Sequence, residues 1–72
     1  MKQHGKKARQ ERALERLKKA KVTNSRGYRL MRKWEAHHDE FVPEDIQMEH
    51  DTLWQERRDA EIAILEERIA RS

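Results

Sequence analysis

From Pro43 to Arg71 the chain runs for about 29 residues without a helix breaker, and no other feature constrains the fold as strongly. At about 1.5 Å per residue this is a helix of roughly 43 Å. Pro43 suits the first helical position, and Glu44 and Asp45 follow at once, where the positive end of the helix dipole favours anions. Placed at about 100° per residue, Ile46, Leu53, Trp54, Ala60, Ile62, Ile64, Leu65 and Ile69 share one broad apolar arc, with Glu49, Asp59, Glu66 and Glu67 outside it. Arg57, Glu61 and Arg68 interrupt that arc. A helix of this kind has to cover its apolar side with another helix of the chain or with a second copy.

A covering helix is encoded just upstream. Val22-Thr23-Asn24-Ser25 interrupts helical patterning, because β-branched residues are followed by two whose side chains favour caps over helix interiors. Beyond it, Tyr28, Leu30, Met31, Trp34 and His38 recur at helical spacing, which predicts a helix beginning near Ser25 and weakened in its first turn by Gly27. His37-His38-Asp39-Glu40 ends it, and Phe41-Val42-Pro43 makes the connection. The expected architecture is all-α: a helical hairpin over about 25–40 and 43–71, preceded by a basic, loosely packed N-terminal helix from Ala8 to about Lys21. That first helix offers only Ala13, Leu14, Leu17 and Ala20 as an apolar stripe. Residues 1–7, with Gly5 and no apolar residue beyond the initiator, are expected to be a mobile basic tail. The chain thus divides into a tail and arm over 1–21 and a hairpin over 25–72. The two hairpin stripes differ in length, so the end beyond Ala60 has to be covered by the first helix or by a partner.

Composition closes off other fold classes. With 72 residues, 43 % charged and 35 % hydrophobic, the core must be small. No Cys is present to supply a disulfide or a thiolate metal site, and a single Pro and two Gly disfavour loop-rich structure. No run of seven apolar residues occurs, so a membrane span and a secretory signal are not expected, and the cytoplasm is the expected location.

The sign of the charge reverses at Trp34. Up to Lys33 there are thirteen Lys and Arg against Glu11 and Glu15, a net of +11; from Trp34 onward there are four Arg against twelve carboxylates, a net of −8. Arg9, Arg12, Arg16 and Lys19, at spacings of three, four and three, line up along one helix face, and Arg26, Arg29, Arg32 and Lys33 continue the positive charge into the next helix. Phosphate backbones are neutralised by cations set out in this way, and Tyr28 and Trp34 could stack on bases. These eight cations are the candidate contacts to nucleic acid, DNA or RNA, or to a nucleoprotein machine. The competing reading pairs the positive piece with the negative one, but surface ion pairs organise a fold weakly, at about 0 to 1 kcal/mol each.

Two further readings concern protein partners. Ile62, Leu65 and Ile69 lie where the chain is short of cover, so the C-terminal helix could dock a regulator or adaptor, of the small phage or bacterial kind, on a larger machine. The same helix could form the seam of a homodimeric coiled coil. Metal binding and catalysis have little support. His37, His38 and His50 stand near carboxylates without a ligand spacing, and adjacent His37 and His38 point about 100° apart on a helix. There is no Gly-rich phosphate loop, nucleophile elbow or HExxH, so no enzyme, catalytic residue, metal site or cofactor is expected.

Overall fold

The computed structural model of the chain describes residues 2–71, and side chains from Gly5 to Arg71. The described residues form three α-helices and no strand: α1 (Lys2–Lys19), α2 (Arg26–His38) and α3 (Glu44–Arg71), with a 3₁₀ turn over Val22–Asn24. The chain is all-α, and α1 packs against α3 in a hairpin-like arrangement.

α1 begins at Lys2 rather than at Ala8, so the helix takes in residues expected to form the tail; Met1 and Ser72 lie outside the described residues. The reason is propensity. Gln3, Lys6 and Lys7 are good helix formers, and the single Gly5 costs about 1 kcal/mol, which does not outweigh continuation of a helix already formed downstream. Arg16, Lys18 and Lys19 occupy the last turn of α1, where the negative end of the dipole favours cations. The helix ends two residues before Lys21, its last turn tightened by a bond from Ala20 N–H to the Leu17 carbonyl at 3.3 Å.

Ser25 closes the 3₁₀ turn and opens α2. Its hydroxyl donates to the Val22 carbonyl at 2.6 Å and accepts from the Tyr28 N–H at 3.3 Å, so one side chain serves both elements. The Arg29 N–H then bonds the Ser25 carbonyl at 3.1 Å, the first bond of the helix proper. At the other end Asp39 adopts the left-handed conformation with φ 52° and ψ 39°. That conformation turns the chain out of the helix, a role usually filled by Gly or Asn.

Pro43 sits one position earlier than expected. Its carbonyl accepts the Gln47 N–H at 3.1 Å, so it caps α3 rather than forming its first residue, and Glu44 and Asp45 make up the first turn. Fixed φ and the lack of an N–H suit Pro to either place.

The chain forms two compact units, Met1–Ala20 with Arg57–Ser72, and Lys21–Glu56. In the first, Ala13, Leu14 and Leu17 of α1 and Ile62, Leu65 and Ile69 of α3 are half-buried, and Lys18 pairs with Glu66 at 3.6 Å. Arg58 donates to the Ala20 carbonyl at 2.9 Å, tying the end of α1 to α3. In the second, α2 and the first half of α3 form an antiparallel pair whose half-buried face is mixed: Tyr28, Met31, Arg32 and Glu35 against Gln47, His50, Asp51 and Trp54. No described residue is fully buried in either unit. Helix packing here consists of thin seams, which places the stability of each unit in a few contacts.

Candidate functional site

The eight candidate cations fall into two groups, one in each compact unit. On α1, Arg9, Arg12, Arg16 and Lys19 are all exposed, on the side turned away from the half-buried Ala13, Leu14 and Leu17. Neighbouring Lys18 instead engages Glu66 of α3. Arg12, Arg16 and Lys19 line an open surface depression of about 320 Å³, together with Glu15 and Ala20. Over this span the backbone rises by about 1.5 Å per residue, so successive cations stand roughly one turn apart, a separation that suits neighbouring phosphates of a nucleic-acid strand. Glu15 is the one carboxylate in the depression and moderates the charge of its floor.

On α2 the four cations are not equivalent. Arg26, Arg29 and Lys33 are exposed. Arg32 is half-buried and spent on the hairpin: its Nε lies 3.0 Å from Glu35 Oε1, its Nη2 donates to the Gln47 side-chain oxygen, and its guanidinium carbon stands 4.7 Å from the centroid of the Tyr28 ring. Planar charge on an aromatic face, with two further partners, holds the guanidinium in one orientation. Tyr28 is thereby covered on the face that Arg32 occupies, which leaves it less open to a stacking base. Trp34 is 39 % exposed and stacks with His38 at a centroid distance of 4.4 Å and an interplanar angle of 20°. His38 Nδ1 also lies 2.9 Å from the Trp34 carbonyl oxygen, so the pair is fixed at the end of α2.

The three candidate partner-binding residues, Ile62, Leu65 and Ile69, are each half-buried in the unit that α1 shares with the end of α3. Ile64, on another side of α3, is 49 % exposed. The arc read from periodicity is therefore divided, one part facing α1 and one part facing solvent.

Three residues that shape the site carry no recognisable motif. Glu35 accepts from the Val42 N–H at 2.8 Å while pairing with Arg32, so one carboxylate holds both the connection and the arginine. His50 packs on the α2 backbone at Gly27, and its Nδ1 lies 3.0 Å from Asp51 Oδ1. Arg58 sits on the seam with α1, its side chain only 21 % exposed. A charged residue falling inside an apolar arc, as Arg58 does, is the one signal that could have drawn notice to it.

Among the described residues no group of three or more His, Asp or Glu is placed to hold a metal ion, and no helix is long and apolar enough to cross a membrane. No protein-family model matches the sequence, and no curated protein or solved structure is significantly similar to it.

Proposed function

We propose that the chain is a small accessory protein of the cytoplasm, not an enzyme, that binds nucleic acid or a nucleoprotein surface through its exposed cations. The observation that carries this reading is the division of labour among the α1 cations. Lys18 turns to Glu66, whereas Arg9, Arg12, Arg16 and Lys19 stand exposed in a row and three of them border one depression. A helix that needed cations only for solubility would gain nothing from keeping them in register on one side. Arg26, Arg29 and Lys33 form a second exposed group on α2, and Arg32 supports the hairpin from which they project. The row reads charge and spacing, not base edges, so sequence-independent contact to phosphates is the expected mode.

The test is titration of duplex DNA, single-stranded DNA and RNA with the 72-residue chain over a salt series. The expected outcome is a linear fall of log K with log salt, at about 0.9 per phosphate contact on a duplex and about 0.7 on a single strand. Absence of binding to all three at about 50 mM salt, where a phosphate-directed site is far tighter than at physiological ionic strength, overturns the reading.

A further inference from the structure

The hairpin of α2 and the first half of α3 has an exposed apolar side. Leu30, Trp34, Ile46 and Leu53 are 55, 39, 52 and 57 % exposed, while the half-buried seam between the helices is largely polar. Their placement follows from helix geometry. At about 100° per residue, Leu30 and Trp34 lie roughly 110–150° round α2 from its seam, and Ile46 and Leu53 roughly 90–110° round α3 from its seam. Because the helices are antiparallel, both displacements turn toward the same side of the hairpin. It is also the side on which His50 meets Gly27.

The charges bordering this face differ between its two edges. Arg26 and Lys33 stand one turn to either side of Leu30, and Glu49 and Glu56 stand one turn to either side of Leu53; all four are exposed. The α2 edge is positive and the α3 edge carries the two carboxylates, Arg57 beyond Leu53 being paired with Glu61 at 3.5 Å. We infer that this face binds a second copy of the chain, in a two-fold dimer whose axis runs along the helices, with α2 of each copy lying over α3 of the other. An isologous contact requires a surface that complements itself, and a face with one basic and one acidic edge does so only in that orientation. Rotation about an axis across the helices would set α2 on α2, bringing like charges together. The hairpin register, marked by Gly27 with His50, Arg32 with Gln47 and Glu35 with Val42, brings Arg26 of one copy level with the gap between Glu49 and Glu56 of the other.

This inference does not depend on nucleic-acid binding, and the experiment keeps the two apart by using nuclease-treated protein. Sedimentation of the 72-residue chain over a concentration series should show a monomer–dimer equilibrium. Leu30→Asp and Leu53→Asp should each abolish the dimer with helical circular dichroism retained, since neither residue belongs to a half-buried seam. Arg26→Glu and Glu49→Lys should each raise the dimer dissociation constant roughly fivefold, and the chain carrying both should return toward the parent value. A monomer at every concentration, or a dimer indifferent to both leucine substitutions, overturns the proposal. Should the leucine variants unfold, the charge pair decides: failure of the double variant to recover overturns the orientation on which the dimer is argued.

Discussion

The imidazole of His50 occupies the space where a β-carbon on Gly27 would stand: such an atom would collide with Nε2 and lie 2.9 Å from Cδ2. Gly27 thus lets the His50 ring of α3 lie directly on the α2 backbone. Its cost to helix propensity is offset by the packing of a ring directly on the α2 backbone. Gly27→Ala should destabilise the hairpin by about 1–2 kcal/mol, because the ring has to leave its seat. With His50→Ala in place the same substitution should reverse sign and stabilise by about 0.5 kcal/mol, the ordinary gain of Ala over Gly in a helix. Urea denaturation of the two single variants and the double variant measures this coupling. Gly5 is the internal control: nothing lies within 4 Å of a β-carbon there, so Gly5→Ala should stabilise α1 by about 0.5–1 kcal/mol.

Glu35 makes two contacts with opposite ends of the hairpin problem, the Val42 N–H of the connection and the Nε of Arg32. Its side chain is only 14 % exposed, so the partners it would abandon are not readily rehydrated. Glu35→Ala should cost about 1–3 kcal/mol through the unsatisfied N–H and the freed guanidinium. Glu35→Gln should cost less, since an amide oxygen can still accept from Val42. Equal costs for the two variants in chemical denaturation would show that the ion pair, not the bond to the connection, dominates.

Asp39 is the single non-glycine residue with positive φ among those described, at 52°. Left-handed backbone strains a residue with a β-carbon, and a carboxylate beside the negative end of the α2 dipole adds repulsion. Asp39→Gly should therefore raise stability by about 0.5–1 kcal/mol, with Asp39→Asn giving a smaller gain. A thermal melt that falls for both variants would contradict this account of the turn.

Helix ends were legible in the sequence wherever a local rule decides them. Ser25 caps α2 and the pair Glu44 and Asp45 follows a proline because those residues act on the backbone within one turn. The periodicity of α3 correctly marked a broad apolar arc but could not say which part was covered. Ile62, Leu65 and Ile69 turn out half-buried, and Ile46, Leu53 and Ile64 largely exposed, because the positions of α1 and α2 around α3 are a tertiary matter. The same holds for Gly27. Spacing alone shows a weak first turn, and only the neighbouring His50 explains why a larger residue is excluded. Among the candidate cations, sequence pattern put Arg32 in one group with Arg29 and Lys33; Glu35, Gln47 and Tyr28 set it apart.

Arg58 ties the two helices of the first unit by donating to the Ala20 carbonyl just beyond the end of α1. It satisfies a carbonyl left without an intrahelical partner and brings a positive charge to the negative end of the α1 dipole. Arg58→Ala should loosen α1 while sparing α2, seen as faster amide hydrogen exchange over α1 with little change in α2. Uniform loss of protection across both helices would instead mean that the two units unfold together.

The proposed nucleic-acid binding predicts a salt dependence that distinguishes the candidate cations from one another. Each phosphate contact that is lost removes about 0.9 from the slope of log K against log salt on a duplex, so replacing Arg12 and Arg16 together by Ala should reduce the slope by about 2. Replacing Arg29 of the second group, which stands outside the proposed dimer edge, should lower the slope by about 0.9. Arg32→Ala should behave differently: its guanidinium is held by Glu35, Gln47 and Tyr28, so the slope should stay near the parent value while stability falls. Fluorescence anisotropy with a labelled duplex, paired with denaturant melts of each variant, separates these outcomes. A full unit lost from the slope at Arg32, with stability unchanged, would show that this arginine swings out to the ligand and that the hairpin does not depend on it.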